Sequence, residues 1–319
     1  MKRVVILQHG PSTGIHGQLA NQMWNYVSVY AYGVERGVPV YNYSFFEYHR
    51  YFGMPVGNAL VNRLFFAPFD MLVRFVPERR LIPVWRKFYK LFVLATEALA
   101  HDRVVRSRDT GHADATYRLP PSTGVRDELL RKERDSRPLY FDGWLFRNPE
   151  GLRKHREAIR AHFAPIPAIQ DRIERFLAPL RGDYPNVIGI HVRQGDYRTW
   201  KDGKYFVPQA RVRDIVDEYL AVSGLDPART CFVITSDGPI DESVFRGLHI
   251  AVTHGTAVED LFTLAGTDAV IGSDSSFGDF AAYWGNVPHI VLKNEPMDWG
   301  YYRGKDRFFE NAYCTFVHY

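Results

Sequence analysis

Apolar segments that each end in polar side chains and then give way to a helical pattern predict an α/β fold built on buried parallel strands. They are residues 186–192, followed by Arg193-Gln194-Gly195-Asp196; residues 230–235, followed by Ser236-Asp237; and residues 268–272, followed by Ser273-Asp274-Ser275-Ser276-Phe277. Ligands of open α/β sheets bind beyond the carboxyl ends of the strands, which is where these polar groups fall. In the first segment His191 and Arg193 alternate onto one strand face. An arginine there is a planar fork of donors suited to phosphate oxygens, so a phosphorylated substrate is expected. The plainer reading of the same residues is an Arg193–Asp196 pair that closes a strand-loop junction. The third segment ends like a helix start, where serine hydroxyls and free backbone N–H groups form an anion site.

The chain opens with a charged start and the apolar run Val4-Val5-Ile6-Leu7, which reads as a first strand. The run is far shorter than a signal-peptide core and lacks a small-residue cleavage site. No stretch approaches the roughly 18 uninterrupted apolar residues of a membrane span, so the chain is expected to be cytoplasmic. A glycine-containing loop follows from Gly10, and residues 24–36 carry the apolar spacing of a buried helix. Strand, glycine loop and helix make a Rossmann-like opening, although the loop fits neither the dinucleotide fingerprint nor the P-loop pattern. Gln8-His9-Gly10 is faintly similar to histidine phosphatases, but glutamine stands where their arginine would be.

With 319 residues, 46% of them hydrophobic, the chain can bury a large core. A prior of about 100–200 residues per domain suggests two domains. The sequence permits a division near residue 165, where Ala164-Pro165-Ile166-Pro167 and a helical pattern over 169–180 precede the strand at 186. Residues 106–138 are polar, charged and interrupted by Pro120-Pro121, which predicts a functional or disordered loop. A net charge of +4 with both signs interspersed gives no argument for nucleic acid. Two cysteines, Cys231 and Cys314, make neither a disulfide framework nor a zinc spacing.

Residues 60–99 carry wide, aromatic apolar arcs and narrow, basic polar stripes, with Arg79, Arg80, Arg86 and Lys87 among the cations. Helices of this kind lie on anionic membranes. The same pattern also suits the interior of a domain.

Taken in order, Gly17-Gln18-Leu19-Ala20-Asn21-Gln22-Met23, Tyr140-Phe141-Asp142-Gly143-Trp144, His191-Val192-Arg193-Gln194-Gly195-Asp196-Tyr197, Ser236-Asp237, Glu259-Asp260-Leu261 and Ser275-Ser276-Phe277 resemble the bacterial α-1,2-fucosyltransferases of glycosyltransferase family 11. The resemblance covers most of the chain and thins between about residues 50 and 135. Its arginine and Ser-Ser-Phe motifs also resemble the α-1,6- and protein O-fucosyltransferases. The chain departs from the family at Gln194, where a second arginine is usual, at Ala20, at Gly238 in place of a second aspartate, and at Gly278-Asp279 in place of an aromatic pair.

The resemblance implies a GT-B fold, two facing Rossmann-like domains with the active cleft between them. Residues 1–165 would form the acceptor side and 166–319 the donor side, with the segment from about 296 packing back across the cleft. It implies GDP-fucose as donor, a glycan acceptor and no cofactor; if residues 60–99 lie on a membrane, that acceptor would be lipid-linked. Many glycosyltransferases stabilise the leaving diphosphate with a metal held by Asp-X-Asp, and the chain contains no such motif. Arg193 and the amides near Ser275, Ser276 and Phe277 are then the expected substitutes. His191 is expected to bond a phosphate or ribose, or else to be buried and satisfied. Asp237 is expected to read the two adjacent donors of guanine or to cap its own turn, and Asp196 to brace Arg193. Asn21 and Gln22 would lie near the sugar and the acceptor. Inversion calls for a base within reach of the attacking hydroxyl, for which His16 and Asp142 are the candidates. The alternatives are a transferase using another GDP-sugar and a catalytically silent nucleotide-sugar-binding or polysaccharide-assembly protein.

Overall fold

The computed structural model describes residues 2–10, 14–15, 18–107 and 116–310, which divide into two compact units, one ending at Ile166 and the other beginning at Pro167. In the first unit, β1 (Val4–Ile6) and β2 (Val40–Asn42) are joined by α1 (Leu19–Arg36). Helix α2 (Glu78–Ala100) precedes β3 (Val104–Arg106), and β4 (Leu139–Asp142) follows. These strands form one parallel sheet in the order β2-β1-β4-β3. Residues 4–6 of β1 are buried throughout, as the apolar run requires. Helix α1 begins at Leu19, five residues before the expected 24, so Asn21 and Gln22 lie in its first turn rather than in the preceding loop.

The expected loop over 106–138 is partly ordered, with a helix at Asp127–Glu133. Asp127 and Glu128 open that helix, and Arg131 and Lys132 close it. This charge order favours the helix dipole and leaves no apolar periodicity to detect. Its Leu129 is fully buried, and its Glu133 accepts from the Tyr32 hydroxyl at 2.7 Å. Residues 108–115 lie outside the described residues.

In the second unit, α3 (Pro167–Asp183) leads into β5 (Asn186–Val192). There follow α4 (Gln209–Ser223), β6 (Thr230–Ser236), β7 (His249–Val252), α5 (Ala257–Ala265), β8 (Ala269–Gly272), α6 (Ser276–Gly285) and β9 (His289–Val291). All pairings are parallel in the order β7-β6-β5-β8-β9, a Rossmann-like sheet. Strand alternation divides the core. Ile188, Ile190 and Val192 pack with Val212, Ile215 and Val216 of α4 on one face, while Val187 and Val233 meet Leu177 of α3 on the other. Cys231 is buried in β6, and burial pushes its thiol up to about 11, which keeps it protonated. Cys314 lies outside the described residues. In the segment from about 296, Met297, Trp299 and Tyr302 pack on this unit's own core.

Candidate functional site

The carboxyl ends of β6, β5 and β8 lie side by side in the second unit, and their polar groups are tied to one another. Beyond β5, the Arg193 backbone N–H donates to Ser273 Oγ at 2.9 Å, which joins the β5 loop to the β8 loop. The Arg193 guanidinium is forked on Asp196, with Nε to Oδ1 at 2.8 Å and Nη2 to Oδ2 at 2.9 Å. It also lies 3.8 Å from Asp237 Oδ2 and over the Tyr197 ring at 5.0 Å. The charge of Arg193 holds the Asp196 carboxyl below its ordinary range through that fork. The expected Arg193–Asp196 pair at the strand-loop junction is thus present.

His191 is buried and stacks on Phe277, with ring centroids 4.8 Å apart. Its Nδ1 lies 3.5 Å from Ser275 Oγ. Burial, reinforced by the Arg193 charge, pushes the imidazole down to about 3, so His191 is neutral at physiological pH. Ser275 is the residue before α6 and leaves its side chain unused as a cap. The first N–H groups of α6 are the ones a helix cannot satisfy internally. Tyr197 fixes this turn by donating its hydroxyl to the Asp274 carbonyl at 2.8 Å.

Asp237 is occupied differently from the expectation. Its Oδ1 accepts from the Gln194 N–H at 2.6 Å and the Gly195 N–H at 3.0 Å, so the carboxylate shapes the β5 loop. A bidentate edge for guanine requires both oxygens, and one is already committed. Gln194 is buried; its amide donates to the Pro239 carbonyl at 3.0 Å and accepts from Gln209 at 3.1 Å. A Cβ on Gly238 would lie 3.1 Å from Gln194 Cβ, so these two departures from the family pattern pack against each other. The Gly278-Asp279 departure has the same character. Asp279 pairs with the buried His289 at 2.6 Å, and a Cβ on Gly278 would come within 2.9 Å of His289 Nε2.

One residue of this edge was missed as a site residue although its motif was noted. Asp260, in the first turn of α5, lines a cavity of about 490 Å³ with Thr253 and His254 beyond β7 and with Arg172 and Phe176 of α3. Its Oδ1 is buried without a hydrogen-bond partner, and burial raises its pKa. The neighbouring Glu259 closes a capping box with Thr256 and pairs with Arg172, while Asp260 is bonded by the Thr253 side chain and the Gly255 backbone, which offset part of the effect of burial. A buried carboxylate with an unused lone pair was not readable from a Glu-Asp dipeptide. A second cavity, of about 280 Å³, is lined by Tyr219, Trp299 and Tyr302 and holds none of these residues.

In the first unit, Asn21 carries a buried Oδ1 with no hydrogen-bond partner, and Gln22 is buried beside it in the chain. Asp142 ends β4, buried, with Arg106 Nε 3.6 Å from Oδ2. Gly143 follows at φ +112, where a Cβ would meet the Ser107 carbonyl oxygen at 2.4 Å; the turn after Asp142 therefore requires glycine. Its carbonyl accepts from Asn25 at 3.2 Å, which links the turn to α1. His16 lies outside the described residues.

Two parallel α/β units in sequence define the class, and solved structures share the fold. The chain is similar to a variant of Arabidopsis thaliana FUT1 in complex with GDP, at 14% identity and a TM-score of 0.51, over 93% of this chain and 71% of that one. It is similar to the fucosyltransferase NodZ from Bradyrhizobium at 16% identity and a TM-score of 0.51, over 93% of this chain and 97% of that one. The fold is accordingly of the GT-B type. No protein-family model and no curated protein sequence matches the chain.

Proposed function

We propose that this chain is an inverting, metal-independent fucosyltransferase, which moves L-fucose from GDP-fucose to a hydroxyl of a glycan acceptor in an α-1,2 linkage. The observation that carries the reading is the junction of Arg193 with the start of α6 through Ser273, on adjacent parallel strands. In the reaction the bond between the anomeric carbon and the diphosphate oxygen breaks while the acceptor oxygen bonds that carbon from the opposite face. The electron pair leaves on GDP, and the acceptor proton passes to a base. Arg193 would exchange Asp196 for the diphosphate, a cation in place to meet charge as it develops. The N–H groups of Ser276 and Phe277 would add to it. Neutral His191 would bond a phosphate or ribose oxygen without adding charge.

Asp260, which lines the cavity beyond β7, would be a second carboxylate candidate beside Asp237 for guanine's adjacent N1–H and amino donors. Asn21 and Gln22 would orient the sugar and acceptor, with Asp142 or His16 receiving the proton. Incubation with GDP-fucose and with other GDP-sugars, in the absence of acceptor, tests this by slow GDP release. Release from GDP-fucose supports the reading. Release from a different GDP-sugar alone replaces the donor, and tight GDP binding without release of product from any donor makes the chain a binding protein.

A further inference from the structure

The first unit leaves an apolar surface in water. Leu60, Leu64, Met71 and Phe75, on and after the short helical turns Ala59–Val61, Asn62–Phe66 and Ala67–Leu72, are exposed, Phe75 to 80%. On α2, Val84, Phe88, Leu91 and Leu99 are exposed as well, Leu99 to 88%. Both sets recur at spacings made of three- and four-residue steps, and the α2 set forms a stripe along its helix. The α2 stripe runs opposite Tyr89 and Val93, which are buried. The turns and α2 are held together beneath these side chains by ring contacts of Phe65 and Phe69 with Trp85, at 5.5 and 5.6 Å. The core-facing aromatics are thus satisfied, and a second, outward apolar face remains that the fold of this unit does not use.

The cations on the same elements outnumber the acids, and the acids Asp70, Glu78 and Glu97 are each paired, with His49, Arg50 and Arg106. Arg63, Arg74, Arg79, Arg80, Lys87 and Lys90 are exposed and make no ion pair among the described residues. Glu78, the exposed acid of the region, is paired with Arg50. Arg86 belongs to a different set, since it is forked on the buried Glu47 at 2.6 and 3.0 Å. Among the described residues, no helix is long and apolar enough to cross a membrane.

We propose that residues 59–99 are a docking surface for an anionic lipid bilayer, with the apolar side chains entering the acyl boundary and the basic side chains meeting the headgroups. Long Lys and Arg stems cover apolar surface while their charges reach outward, which lets both kinds of side chain share one face. A second copy of the chain fits poorly, because a two-fold interface would set these unpaired cations against their own counterparts. The inference rests on exposure and charge and is independent of the transferase reading.

Co-sedimentation of the full chain with vesicles tests it. The protein should pellet with phosphatidylglycerol-containing vesicles at low salt, bind phosphatidylcholine vesicles weakly, and be released from the anionic vesicles as salt rises, since surface attraction decays over a Debye length of about 8 Å at physiological ionic strength. The variant Arg79→Gln/Arg80→Gln/Lys87→Gln/Lys90→Gln, which spares Arg86 and hence Glu47, should lose roughly fivefold in partition per charge removed. A second variant, Leu64→Gln/Phe75→Ser/Phe88→Ser/Leu91→Gln, should also lose anionic-vesicle binding, because it removes the groups that insert. Circular dichroism of both variants should match the wild type. Failure of the wild type to bind anionic vesicles at low salt overturns the proposal. So does binding that neither folded variant weakens, or a dimer in light scattering that the apolar variant dissolves while vesicles remain unbound.

Discussion

The carboxyl edge of the second unit's sheet and the helical region 59–99 of the first both place unusual side chains at a surface, and they do it by opposite means. At the edge each polar group is fixed by bonds to its neighbours: Arg193 through Ser273 and Asp196, Asp237 through the Gln194 and Gly195 amides, Gln194 through Pro239 and Gln209. On the helices most of the outward apolar and basic side chains are exposed, and their effect comes from apolar area and from number and sign of charge. The edge should therefore be sensitive to single atoms, and the helices to sums.

The largest single-residue effect is expected at Arg193. Arg193→Ala should lower turnover about 10²- to 10³-fold, the usual cost of deleting a donor aimed at developing charge, with the melting temperature little changed. Arg193→Lys should also be poor, because a point charge cannot reproduce the fork. Retention of more than a tenth of wild-type turnover by Arg193→Ala would place the charge stabilisation elsewhere.

Paired stability measurements sharpen the contrast. A methyl group added at Gly278 meets His289 Nε2 at 2.9 Å in a buried setting, so Gly278→Ala should cost about 1–3 kcal/mol, as overpacking does. Phe75→Ser, on the exposed helical region, should change stability by less than about 0.5 kcal/mol despite removing a whole aromatic ring. Urea denaturation of the two variants checks both values. A larger loss for Phe75→Ser would show that this region is a core after all and would end the comparison.

Asp260 gives a pH-dependent test. Burial raises its pKa in the folded protein above the unfolded value of 3.8. Below pH 3.8 the carboxyl is protonated in both states and costs nothing; once pH exceeds the folded value, the folded protein carries a buried charge and loses stability. Asp260→Asn should therefore raise the melting temperature at pH 7, by an amount that fades below pH 3.8, while weakening GDP binding. A variant that is less stable at pH 7 and binds GDP as the wild type does would show that Asp260 serves the fold.

The strands β5, β6 and β8 of the second unit were legible because they are buried and so read as unbroken apolar runs with motifs at their ends. The short strands β7, which is not buried, and β9 were not read. The short strands Val40–Asn42, Val104–Arg106 and Leu139–Asp142 gave weaker signals, since three or four residues cannot establish a period. The helix Asp127–Glu133 was hidden because charge order, not apolar spacing, supports it. At the site, Arg193 and His191 were readable from strand alternation. The engagement of Asp237 by two loop amides and the free lone pair of Asp260 were not, because each depends on how separate segments meet. The departures from the family pattern looked like isolated losses in sequence, yet Gln194 packs on Gly238 and Asp279 pairs with His289. Such exchanges between distant positions are visible only when both sides are in place.

The smallest expected effect is none. If the charge at the edge is supplied by Arg193 and the start of α6, then chelation with excess EDTA should leave the initial rate of sugar transfer unchanged. The expectation comes from the sequence, which has no Asp-X-Asp to hold a required cation beside the diphosphate. Mild stimulation by Mg²⁺ is compatible with it, because released GDP binds the cation and inhibits less. The decisive comparison is Arg193→Ala with and without Mn²⁺. A divalent cation that restores the variant to near wild-type turnover, or that rescues an EDTA-inactivated wild type, would mean that the diphosphate is met by a metal and that the bonded edge serves chiefly to shape its surroundings. A rate indifferent to both treatments leaves the chain's own donors as the source of that charge.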